Sequence, residues 1–131
     1  MNYLLDTNVI IDFFHGQKST VHKVKSIERE NLAISIITAA EIYHGSYKTT
    51  VSHKYIDEFE NFVVDSSVKL ITLDREIAKR YGLIMASLEK QGKRLSSFDI
   101  LIAATALAHN LTIITRDKGL ERIKGLKIER L

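Results

Sequence analysis

Apolar and polar positions along this 131-residue chain follow two different patterns in turn. Short apolar runs carry no alternation, as expected of strands covered on both faces. They are Tyr3-Leu4-Leu5, Leu32 to Ile37, Val68 to Leu73 and Leu111 to Thr115. Between them the apolar positions take helical spacing. Val9, Ile10, Ile11, Phe13 and Phe14 predict a helix capped by Thr7 or Asn8 and stopping at His15-Gly16. Residues 19–30 predict a second, with Val21, Val24 and Ile27 on one face, and Thr38 to His44 a third, ended by Gly45. Residues around 52–62, with Tyr55, Ile56, Phe59 and Phe62, predict a fourth. Asp74 caps a fifth that runs to about Gln91, before Gly92, and Ser96 or Ser97 caps a sixth. That sixth helix is almost wholly apolar from Ile100 to Ala108, and LKIERL after Gly125 reads as a short last strand.

Strands alternating with helices imply βαβ units with right-handed crossovers, hence an α/β fold with helices on both faces of a parallel sheet. The chain has no proline, no Gly/Ser-rich linker and no repeat, so one domain over residues 1–131 is expected. In such sheets ligands sit beyond the carboxyl ends of the strands. The acids fall there. Asp6 follows the first strand, Glu41 lies one helical turn past the second, and Asp117 follows the fourth. Asp99 opens the helix leading into the fourth strand, which starts at the same rim.

Each acid has a plain alternative as a helix cap. Thr38-x-x-Glu41 and Ser96-x-x-Asp99 match capping boxes, while Asp117 can cap the turn before Leu120 and Asp6 the helix after it. Nothing in capping requires four carboxylates at one sheet edge, however, and their flanks LLDTNVII, TAAEIY and FDILIAA are apolar. Like charges crowded in such surroundings raise one another's pKa unless a cation neutralises them. A hard divalent ion with oxygen ligands, Mg²⁺ or Mn²⁺, fits that requirement.

Composition narrows the alternatives. Without cysteine there is no disulfide framework and no thiolate metal site. The five histidines, at 15, 22, 44, 53 and 109, show no zinc spacing, and Glu41-x-x-His44 is a single di-iron-type pair where two are needed. No P-loop, GxGxxG or Ser/His/Asp arrangement occurs. The N-terminus lacks a signal-peptide pattern and the longest apolar run falls short of the roughly 20 residues of a membrane span. The cytoplasm is the expected compartment. The net charge of +3 hides an asymmetry: residues 1–73 carry 7 Lys/Arg against 9 Asp/Glu, residues 74–131 carry 12 against 7. Arg116, Lys118, Arg122 and Lys124 flank Asp117, and Lys90, Lys93 and Arg94 precede Asp99. They are candidates for phosphate contacts, with a solvated helix face as the alternative.

Three segments, LLDTNVIIDFF, ISIITAAEIYHGS and SFDILIAATALAHNLTIITRD, resemble the signatures of PIN-domain ribonucleases, in particular VapC-type toxins of toxin–antitoxin pairs. The resemblance spans essentially the whole chain. By position it implies that Asp6, Glu41 and Asp99 bind metal and that Asp117 is the fourth, more variable acid. It further implies that Thr7 or Asn8 and Thr115 line the site, with Asn8 the better placed to touch metal-bound water. It implies a sheet of order 3-2-1-4-5 in an α/β/α sandwich and a homodimer; the activity expected with it is water attack on the phosphodiester of single-stranded RNA loops, whose bases can be splayed into a groove. The partner it implies is a cognate antitoxin whose tail enters the active-site groove. One departure bears on the last loop: Lys118-Gly119-Leu120 stands where family members often have Asp-Phe. Two other readings remain: a receiver-like domain phosphorylated on Asp74, and a catalytically idle RNA- or protein-binding module.

Overall fold

The computed structural model describes residues 2–48, 54–64 and 67–131. Five parallel strands form one sheet in the order β3-β2-β1-β4-β5, as the family resemblance implies. They are β1 (Tyr3–Leu5), β2 (Leu32–Ser35), β3 (Lys69–Ile71), β4 (Thr112–Thr115) and β5 (Ile128–Arg130). The helices between them are α1 (Thr7–Phe14), α2 (Lys18–Lys25), α3 (Ile36–Tyr47), α4 (Lys54–Val64), α5 (Arg75–Lys90) and α6 (Ser97–Ala108).

Side chains alternate across a strand, so the sheet feeds two cores. Leu4, Ala33, Ile71 and Ile113 point to one face and pack with Ile77 of α5 and Ile102, Ala103 and Ala106 of α6. Leu5, Ile34 and Ile114 point to the other and pack with Val9 and Ile10 of α1, Val24 of α2 and Phe59 and Phe62 of α4. The architecture is therefore three-layered, α/β/α. Within α6 the buried Thr105 satisfies its hydroxyl by donating to the Leu101 carbonyl at 2.8 Å. Asn110, at φ 54°, ends the turn that follows the helix.

Several element boundaries differ from the sequence reading: β3 is Lys69–Ile71 where Val68 to Leu73 was expected, and others differ for local reasons. α1 is capped by Asp6 itself, not by Thr7 or Asn8. α2 ends at Lys25, and Ile27 belongs to the turn before a short 3₁₀ segment at Arg29–Asn31. β2 stops at Ser35, whose hydroxyl accepts the Ile37 N–H at 3.0 Å and so starts α3 before Thr38. α3 also runs through Gly45, which keeps ordinary helical backbone while the packing of Ile42 holds the helix in place. The first two residues expected in α4, 52 and 53, lie outside the described residues. Among the described residues, no helix is long and apolar enough to cross a membrane.

Candidate active site

Strand register brings the first acid to its partners. Leu5 pairs with Ile114 in the β1–β4 ladder, so the next residues along, Asp6 and Thr115, meet at the carboxyl edge of the sheet. The Thr115 hydroxyl donates to Asp6 Oδ2 at 2.7 Å and accepts the Asp117 N–H at 2.9 Å. The other Asp6 oxygen accepts the Thr7 N–H at 2.8 Å. One buried threonine thus ties the first acid to the fourth. Asp117 itself caps a 3₁₀ helix, Lys118–Arg122, its Oδ1 accepting the Gly119 N–H at 2.7 Å. A side chain at residue 119 would bring a Cβ within 2.9 Å of a Leu95 methyl and 3.0 Å of Asp117 Oδ1, which is why glycine stands there. Leu120, next in the departing segment, is buried against the α5–α6 core.

The second acid is held from α1. Thr7 donates its hydroxyl to Glu41 Oε1 at 2.7 Å. That uses the only proton Thr7 has, so the Thr38 hydroxyl, 3.0 Å away, donates to Thr7. The capping box read at Thr38-x-x-Glu41 is therefore absent, and the two residues form a side-chain relay with Thr7 instead. At α6 half of the expected box exists: Ser96 Oγ accepts the Asp99 N–H at 3.1 Å. The Asp99 carboxylate makes no hydrogen bond or ion pair among the described residues.

Asp6, Thr7, Asn8, Glu41 and Asp99 line one cleft of about 450 Å³. Burial pushes the Asp6 carboxyl above the ordinary 3.8, the Thr115 and Thr7 hydrogen bonds pull it back, and the charges of Asp99 and Asp117 raise it further. All three acids therefore share one electrostatic neighbourhood. A carboxyl with a folded pKa above its unfolded one stabilises the fold while protonated, and that contribution is lost as pH rises through the folded pKa. In the absence of divalent ions, Asp6→Asn is expected to raise the melting temperature at neutral pH by a few degrees and to flatten the gain the wild type shows as pH falls towards 3.8. Thermal melts of both proteins in chelator across that range measure the difference; a lower melting point for Asp6→Asn at neutral pH would show that ionised Asp6 stabilises the fold.

The carboxylates and the Thr7 hydroxyl in the cleft, with the Asn8 amide on its lip, are hard oxygen donors, which suit a hard divalent cation rather than a soft one. Among the described residues no three His, Cys, Asp or Glu side chains are grouped to hold an ion directly.

The remaining expected residues divide. Asn8 is exposed on the lip of the cleft. Arg116, Lys118, Lys93 and Arg94 are exposed but do not line it. Arg116 pairs with Asp12 at 2.8 Å, and the Arg122 guanidinium donates to the Arg94 carbonyl at 2.8 Å. Asp74 accepts the Ile77 N–H at 2.9 Å as the cap of α5 and stands apart from the cleft, which removes the basis for a phosphoacceptor there. Sequence reasoning missed Thr38, Lys48 and Phe98 as part of this region, and took His44 only as half of a rejected di-iron pair. The signal was present, because 41, 44, 45 and 48 share one helical face. Reading Gly45 as a helix stop hid it.

The sequence profile described as PIN domain matches residues 3–126. The tRNA(fMet)-specific endonuclease VapC of Shigella flexneri is 28% identical over 130 residues, which cover 98% of this chain and 97% of that one. Toxin FitB of Neisseria gonorrhoeae is 32% identical over 124 residues, 88% of each chain. Among solved structures, VapBC2 from Rickettsia felis, bound to a DNA fragment from their promoter, matches with a TM-score of 0.88. The identity is 26%, and the match covers 99% of this chain and 98% of that one.

Proposed function

Since the chain belongs to the PIN-domain family, we propose that it is a metal-dependent endoribonuclease and the toxin of a type II toxin–antitoxin pair. The observation that carries this reading is the cleft in which Asp6, Glu41 and Asp99, from three separate elements, face one space. Relatives named as ribonucleases and a neighbour that is a VapBC structure support it.

Asp99 contributes a carboxylate with no competing partner, and Glu41 an oxygen beyond the one held by Thr7. Asp6 is fixed by Thr115 and by the Thr7 N–H, and Asp117 moves with Thr115. These acids would hold Mg²⁺ or Mn²⁺, and Asp117 would serve a second ion or place the attacking water. When bound, the ion lowers the pKa of water and offsets charge developing on the phosphate. Asn8, exposed on the lip of the cleft, would hydrogen-bond water there. Attack by water on phosphorus, with departure of the 3′-oxygen, leaves a 5′-phosphate and a 3′-hydroxyl. Single-stranded loops are the substrates, since their bases can be splayed into a cleft. Arg116, Lys118, Lys93 and Arg94, outside the cleft, contact phosphates further along the strand. A cognate antitoxin, a homodimer and a cytoplasmic setting complete the reading.

Incubation with total tRNA is the first test, because the Shigella flexneri relative is named for a tRNA. Expected are discrete cuts that need Mg²⁺ or Mn²⁺, stop with chelator and carry 5′-phosphates. Cleavage that continues in chelator and leaves 2′,3′-cyclic phosphates would overturn the mechanism.

A further inference from the structure

The cleft continues past the acids, and its remaining lining carries the opposite chemistry. Glu41, His44 and Gly45 occupy one face of α3, Lys48 is the C-cap that follows it, and all four line the cleft, so carboxylate gives way to imidazole and ammonium within about two turns. His44 and Lys48 are exposed and make no side-chain hydrogen bond or ion pair among the described residues. From α6 comes Phe98, beside Asp99 and 48% exposed, the aromatic ring among the described residues that lines this cleft. Phe98 is not among the buried residues of that helix, which begin at Ile100.

Resting on the ribonuclease reading, we propose that Phe98 is a stacking platform for an unpaired base beside the cleaved phosphate, and that Lys48, with His44, holds a neighbouring phosphate of the same strand. The acidic floor repels a polyanion, so grip must come from elsewhere along the cleft. The seven basic residues singled out from sequence do not line it, whereas Lys48 does. An aromatic face accepts any base, and a base within a duplex has both faces already stacked. The pairing of ring and cation therefore selects single strands without reading a particular base.

The test is fluorescence anisotropy in chelator, where no cleavage occurs, with a labelled mixed-sequence single strand of about 12 nucleotides. The same strand annealed to its complement is the control. Phe98→Ala is expected to weaken single-strand binding roughly tenfold, Phe98→Trp to retain it, and neither to alter duplex binding. Replacing bases one at a time by abasic sites is expected to find one position where the wild type loses what Phe98→Ala loses and the variant loses nothing more. Lys48→Ala is expected to lower the slope of log affinity against log salt by about 0.7. Wild-type affinity in Phe98→Ala, or equal wild-type affinity for duplex and single strand, would overturn the proposal. So would unchanged RNA binding in Phe98→Ala accompanied by a change in sedimentation or antitoxin capture, which would assign the ring to a protein interface. The ribonuclease reading fails separately, on chelator-resistant cleavage or on an active Asp99→Asn, whatever Phe98 does.

Discussion

Asp99→Asn is expected to slow RNA cleavage by roughly 10²–10³-fold, the scale set by losing several kcal/mol of charge stabilisation at the phosphate. Its melting temperature is expected to stay close to that of the wild type. Both halves follow from the same observation: the Asp99 carboxylate lines the cleft yet has no hydrogen-bond or ion-pair partner among the described residues, so no fold contact depends on its charge. A negative charge in the first turn of α6 favours the helix by about 0.3–1 kcal/mol, and losing it is offset by relieving the repulsion Asp99 exerts on buried Asp6. Ser96 still caps the helix, because it bonds the Asp99 backbone and not its side chain. Rates on a mapped RNA with Mg²⁺, beside a thermal melt, check it. Wild-type cleavage by Asp99→Asn would end the assignment of this cleft as the active site, and inactivity of the wild type itself would favour the idle-module reading.

Thr115→Val is expected to damage both stability and activity, which distinguishes it from Asp99→Asn. The substitution preserves shape but removes a hydroxyl that donates to Asp6 and accepts from Asp117. A hydrogen bond to a charged group contributes about 1.5–3 kcal/mol and a neutral one about 1, so a loss of about 2–4 kcal/mol is expected from a domain whose total is about 5–15. Asp6 would lose its only side-chain donor among the described residues, and the 115–117 turn its link to β1. Displacement by about 1 Å of a group placed for catalysis is enough for a 10²-fold loss in rate. Thr115→Ser keeps the hydroxyl and is expected to restore most of both. Denaturant melts and cleavage rates on the three proteins decide it. Full activity in Thr115→Val would mean that Asp6 needs no orientation from β4.

Much of this was legible in the residues alone. Unbroken apolar runs at 3–5 and 111–115 read as covered strands, and that coverage requires helices on both faces. The same pattern puts Asp6 and Asp117 at strand ends and Asp99 at a helix start, hence at one rim. Helix ends were less legible. Gly45 has the residue type of a stop, yet its helix continues, because packing of the α3 face outweighs the local penalty of about 1 kcal/mol for glycine. Asp6 and Asp117 proved to be caps as well as acids, so the two readings were not exclusive.

What the sequence determined by itself was burial, since periodicity is a local record of which side of each element faces the core. It determined the alternation of elements and, through it, the edge at which the acids gather. Only the tertiary structure decided how those acids are held and which side chains surround them. Thr7 reaches Glu41 across 34 positions and Thr115 reaches Asp6 across 109. Such bonds depend on strand register and helix placement, which no local pattern encodes. For the same reason Lys48 and Phe98 line the cleft while the nearer-looking arginine and lysine pairs do not.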